Sequence, residues 1–218
     1  MTSATAPSKP DGGLRMSTQP APPRRIGAFG GAFDPPHRGH TALAQAALDH
    51  LDLDLLLVVP TGTAWHKSRP LSDAQHRLAM CALAFGDMPL ARVDDCEILR
   101  NGPSYTVDTL EALHRAYPDA EFFLLMGQDQ AQRLGTWSRA GALPQLATLC
   151  VAARAGSEAQ LPPNVRHLPM PLMEVSSSAV RAAIAASGET SAMLAPSVAR
   201  YIAQHRLYAT ISSTENSD

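Results

Sequence analysis

Two imidazoles and a guanidinium at a helix start are suited to gripping a polyanion. The stretch FGGAFDPPHRGH, Phe29 to His40, offers that set as His37, Arg38 and His40. A helix begins with unpaired N–H groups and a partial positive charge, so its natural ligand is an anion. Cations in the first turn oppose that dipole by roughly 0.3 to 1 kcal/mol each, and a bound polyphosphate supplies a reason for them. Gly39 removes the side chain between the histidines and lets a bulky ligand approach the backbone. Taken singly, Gly30-Gly31 is an ordinary turn, Asp34 a cap or turn residue, and a helix-start histidine an exposed one. Together, directly after a strand, they point to a phosphate site. The pattern returns late in the chain, where the serines Ser176 to Ser178 open a helix with Arg181 in its first turns. Serine there is ordinary capping, but a cation near the positive end of a helix repeats the first anomaly.

These residues need elements to hold them. Arg25 to Phe29 reads as a short apolar strand, and Leu43, Ala46, Ala47, Leu48 and Leu51 recur at helical spacing behind the first motif, with Pro35 and Pro36 pre-setting its first turn. Leu53 to Val59, closed by Pro60, suits a strand buried on both faces of a parallel sheet. Ser72 to Phe85 reads as a helix with Leu78, Ala82 and Phe85 on one face, followed by a short strand at Leu90 to Val93. After a turn at Asn101 to Pro103, Ser104 is placed to cap a helix whose buried stripe is Val107, Leu110 and Leu113. Further strands are expected at Glu121 to Met126, Thr148 to Ala152 and Val165 to Leu168, and helices over Glu174 to Ala186 and Pro196 to Tyr208, the last for packing. Strands alternating with helices imply an α/β fold, a doubly wound parallel sheet with ligands at the strand carboxyl ends. One domain over 24–208 is expected, after a disordered extension at 1–23 and before a flexible tail at 209–218. Met16 offers an alternative start.

The chain has 218 residues, with 18 basic against 20 acidic side chains. Near balance gives no global case for nucleic acid or an anionic membrane as partner. Three widely spaced cysteines, Cys81, Cys96 and Cys150, argue against a disulfide framework or a zinc site and fit a reducing cytoplasm. No apolar run reaches membrane-spanning length. The chain lacks GxGxxG and GxxxxGK[ST], which removes the main sequence support for a dinucleotide dehydrogenase or a P-loop NTPase. Oligomeric state is left open, a homo-oligomer included.

Four further positions have two readings each. Trp65, His66, Lys67 and Arg69 make a basic loop after a strand, where α/β folds place ligand contacts, although alone it reads as a solvated loop. Tyr105 and Thr106 are cap-region residues with no special claim. Gly127 and Asp129 close a strand, either to admit a nucleotide and bind its ribose or as a plain strand-to-helix turn. Trp137, in GTWSR, is either core or a platform for a flat heterocycle.

GGAFDPPHRGH resembles the signature of the nucleotidyltransferases related to class I aminoacyl-tRNA synthetases, and the branch it most resembles is the bacterial nicotinate-mononucleotide adenylyltransferases. Ser104 to Leu110 and the Ser-Ser-x-x-Val-Arg segment ending at Arg181 are similar to that family's further motifs, with Ser178 where threonine is usual. The resemblance spans roughly 24–208 and implies a Rossmann-like nucleotidyltransferase fold. It implies adenylyl transfer from ATP to nicotinate mononucleotide in NAD biosynthesis, with magnesium arriving on ATP and no dedicated metal site. By resemblance His37, His40 and Arg181 are catalytic. Gly30, Gly31, Phe33 and Gly39 would contact ATP with Gly127, Asp129 and Ser177, while Lys67, Thr106 and Trp137 would bind nicotinate mononucleotide. The alternatives are a sibling enzyme acting on nicotinamide mononucleotide or pantetheine phosphate, and a non-catalytic nucleotide-binding module.

Overall fold

A computed structural model describes residues 21–63, 70–152, 165–171 and 173–209. Its centre is a sheet of six strands: β1 (Arg25–Gly31), β2 (Leu55–Pro60), β3 (Ala91–Val93), β4 (Glu121–Gly127), β5 (Thr148–Ala152) and β6 (Arg166–Leu168). The order is β3-β2-β1-β4-β5-β6 and every pair is parallel. The chain therefore reverses its direction of winding between β1 and β4, the place where such sheets open a crevice.

Side chains of the central strands alternate between two cores, as the two-residue period demands. Leu56 and Val58 of β2, with Phe123 and Leu125 of β4, face one core. That core is closed by Leu43, Ala44 and Ala47 of α1 (Arg38–His50) and by Cys81 and Phe85 of α2 (Ala74–Phe85). Leu57, Val59, Phe122, Leu124 and Met126 face the other, beneath Val107, Leu110 and Leu113 of α4 (Thr106–Ala116). The expected stripe of α4 is thus the observed one. Helices on both faces make the fold doubly wound.

A third, smaller core joins Met80 of α2 to Val180 of α7 (Ser177–Ala185) and to Val198 and Ile202 of α8 (Pro196–Gln204). The closing helix packs, as expected, and it does so against α2.

Several local expectations are corrected. The first helix starts at Arg38 with His37 as its N-cap, so Pro35 and Pro36 lie ahead of it rather than in its first turn. The buried face of α2 is Arg77, Met80, Cys81 and Phe85, while Ala82 is exposed. Ser104 does not cap α4, whose N-cap is Tyr105; its Oγ instead accepts the Gly62 N–H at 3.1 Å. A short helix absent from the sequence reading, α3 (Cys96–Leu99), precedes that turn, and the short helices α5 (Gln128–Ala131) and α6 (Leu143–Leu146) lie between β4 and β5.

Candidate active site

The site is built at the reversal point. Phe29, Gly30 and Gly31 end β1, Met126 and Gly127 end β4, and between them a cavity of about 1480 Å³ opens. Helix α1 presents its N-terminus to this space and α7 the start of its chain, so two helix beginnings border one cleft.

His37 and His40 lie stacked, ring centroids 3.7 Å apart at 26°. The backbone N–H of His37 donates to His40 Nδ1 at 3.1 Å, which puts the proton of His40 on Nε2. Below it Phe33 offers its ring edge-on, 5.0 Å between centroids, with Phe29 at 6.1 Å. Phe33 is 1% exposed and holds a left-handed backbone, φ 46°, so it supports the histidine from inside the core. Burial pushes the His37 imidazole down to about 4, and its Nδ1 is buried without a hydrogen-bond partner among the described residues. For His37 the expected conflict with the helix dipole is therefore relieved, since burial disfavours its charged form. Arg38 is corrected too, since its Nε donates to the Ser191 carbonyl at 3.3 Å and its side chain is exposed, outside the cavity lining.

Gly39 permits a close approach, but a Cβ there would come within 3.1 Å of Val175 and 3.2 Å of the His37 ring. The space beside it is occupied by the segment leading into α7. That segment is fastened to the first motif: Ser177 Oγ donates to the Pro35 carbonyl at 2.9 Å, and Arg181 Nη1 to the Asp34 carbonyl at 2.6 Å. The true cap of α7 is Ser176, which accepts from the Ala179 N–H.

Asp34, read as a turn residue, is a hub. Its carboxylate is 1% exposed and accepts from the Tyr208 hydroxyl at 2.7 Å and from the Ser72 N–H at 3.3 Å. Beside it Arg77, 2% exposed, donates to the carbonyls of Ser72, Ala32 and Thr61 at 2.9, 3.1 and 2.6 Å. Arg77 thus ties the loop after β1 to the loop after β2. Most of these partners, Ala32 and Thr61 for Arg77 and Tyr208 for Asp34, lie on other elements, out of reach of a local reading of the chain.

The remaining expected residues line the same cavity: Thr106 at the start of α4, Gly127 and Asp129 after β4, and half-buried Trp137 on the connection to β5. Lys67 lies outside the described residues. Glu97 of α3 was missed; it lines the cavity, accepts from Thr109 Oγ1 at 2.8 Å, and burial raises its carboxyl. Among the described residues no cluster of three His, Cys, Asp or Glu side chains suits a metal ion. Nor is any described helix long and apolar enough to cross a membrane.

Such a crevice, with helix starts and histidines over its floor, defines a nucleotide-handling α/β protein, and the cytidylyltransferase-like family model matches residues 28–183. A protein of Albidiferax ferrireducens named "probable nicotinate-nucleotide adenylyltransferase" is 52% identical, covering 86% of this chain and 99% of its own. One of the same name from Methylibium petroleiphilum is 46% identical over 87% of this chain and 94% of its own. The chain belongs to the nicotinate-nucleotide adenylyltransferase family, within that cytidylyltransferase-like class. The fold also matches a solved Plasmodium falciparum nicotinic acid mononucleotide adenylyltransferase complexed with NaAD, TM-score 0.72 at 20% identity, over 85% of this chain and 97% of that one.

Proposed function

We propose that this chain transfers the adenylyl group of ATP to nicotinate mononucleotide, releasing pyrophosphate and forming nicotinate adenine dinucleotide, a step of NAD biosynthesis. The observation that carries the reading is that His37, the N-cap of α1, His40 of α1 and Arg181 of α7 line one cavity at the reversal point of the sheet. A phosphate oxygen of the mononucleotide attacks the α-phosphorus of ATP, the bond to the β-phosphate oxygen breaks, and pyrophosphate departs with that electron pair. The attacking phosphate is already anionic near neutral pH, so no general base is needed. Catalysis then consists of alignment and of offsetting charge on the phosphates.

His40 takes the transition-state phosphate, its Nε2 proton directed by the bond that Nδ1 receives. His37, stacked on His40 and kept neutral by burial, would hold the phosphates beside it. Arg181 and Ser177 hold the leaving end, Gly30, Gly31 and Gly39 let the phosphates approach, and Phe33 backs His40. Gly127 and Asp129 receive adenosine. Thr106 and Trp137 receive the acceptor, with Lys67 at its phosphate. Magnesium would arrive with ATP and would be held mainly by phosphate oxygens, offsetting their charge. The three free cysteines, with Cys81 and Cys150 buried, suit a cytoplasmic setting.

An acceptor panel tests this. With ATP, pyrophosphate release is measured against nicotinate mononucleotide, nicotinamide mononucleotide and phosphopantetheine, and kcat/KM is expected to be highest with the first. A preference for phosphopantetheine overturns the acceptor, and no release with any of them makes the chain a binding module.

A further inference from the structure

The two segments assigned to the acceptor come from different parts of the chain, and something must fix the gap between them. Tyr105 and Thr106 form one wall of the cavity; Thr136, Trp137 and Ser138 form another. The second wall has little structure of its own, being flanked by two single 3₁₀ turns, Leu134–Thr136 and Ala140–Ala142. Short 3₁₀ turns have poor hydrogen-bond geometry and do not hold a wall by themselves.

Arg139 bridges the gap from behind. Its Nη1 donates to Glu111 Oε1 at 2.7 Å, and its Nη2 donates to Asp108 Oδ1 at 2.5 Å and to Glu111 Oε2 at 3.2 Å. Asp108 and Glu111 are three residues apart on α4, hence neighbours on one face of the helix that begins at Thr106. Exposed ion pairs are usually weak, but a planar fork spanning two carboxylates is the geometry in which they are not. Arg139 also holds a left-handed backbone, φ 49° and ψ 38°, which a residue with a side chain keeps only where its surroundings over-determine it.

We propose that Arg139 is a positioning residue for the acceptor, clamping the Trp137 segment to the first turns of α4 and so setting the width of the mononucleotide end of the cleft. The inference rests on the reading of Thr106 and Trp137 as acceptor contacts. It makes a contribution that is electrostatic and selective: the acceptor end narrows, while the histidine end is untouched.

The test is steady-state kinetics of R139Q, R139K, W137A and the D108N/E111Q double variant, with melting curves for each, at low and high salt. R139Q is expected to raise KM for nicotinate mononucleotide about fivefold, with kcat and KM for ATP within about twofold of wild type. R139K restores part of the loss, because an ammonium cannot span both carboxylates. Combining R139Q with D108N/E111Q adds little, since one interaction is being removed twice. The acceptor is itself an anion and binds less well in salt, so the decisive quantity is the slope of KM against salt, which is shallower in R139Q than in wild type. Raised acceptor KM in W137A with none in R139Q overturns the clamp alone. Equal loss in both KM values, kcat and melting temperature for R139Q overturns it as well, as mere structural damage. An unchanged acceptor KM in W137A defeats the acceptor reading itself, which the R139Q data would not by themselves reveal.

Discussion

The Tyr208 hydroxyl, just beyond α8, donates to the buried Asp34 carboxylate at 2.7 Å, while the Asp34 carbonyl receives Arg181 at 2.6 Å. The turn after α8 is thereby wired to the loop that carries His37. Burial and Asp34 push the Tyr208 phenol up, so it keeps its proton throughout the physiological range. Tyr208→Phe deprives a buried carboxylate of one donor and is expected to destabilise the fold by about 1 to 3 kcal/mol. Thermal melts check it: several degrees are expected, and an unaltered melting temperature removes the bond from the account.

His40→Ala is expected to lower kcat by about 100- to 1000-fold while changing KM for ATP little, the behaviour of a donor that acts on the transition state. Should KM for ATP rise alone, His40 binds ATP and does nothing more.

His37 gives a pH dependence of stability with a definite sign. Its ordinary value of 6.5 applies to the unfolded chain, whereas burial holds it at about 4 in the fold. Between those values the unfolded chain binds the extra proton, so stability is full above pH 6.5 and falls as pH drops toward 4, by about 3 kcal/mol in all. Denaturant unfolding of wild type and His37→Asn at pH 7 and pH 4.5 measures it, and the variant is expected to lose less on acidification. Parallel losses would assign the effect to other groups.

Arg77→Lys is expected to be poorly tolerated, at about 3 kcal/mol, because a lysine cannot satisfy carbonyls that face the guanidinium from three directions. Since Ala32 and Thr61 stand on the loops after β1 and β2, kcat is expected to fall with stability. A fully stable Arg77→Lys enzyme with normal kcat would refute the tie.

The motifs that carry their own local signal were legible in the sequence. His37 and His40 stand beside glycines after an apolar strand; Leu55–Pro60 and Glu121–Gly127 are apolar runs of strand length; α4 shows its stripe by period alone. Arg77 was hidden because a charged residue among apolar ones reads as solvent-facing unless its acceptors are known, and these come from Ala32, Thr61 and Ser72. The signal existed in Met80, Cys81 and Phe85, which share its face. Asp34 and Arg139 were illegible for the same reason, their partners lying far off in the chain at Tyr208 and at Asp108 and Glu111.

The strand order has a consequence for biosynthesis. β1 pairs with β2 on one side at once, but its other edge waits for Glu121–Gly127. At about 5 to 20 residues per second, the ribosome leaves that apolar edge uncovered for roughly 5 to 20 seconds, an open template for strands of neighbouring nascent chains. Overexpression yield should therefore respond to slower initiation or to added holding chaperones more than to any change at the reaction centre.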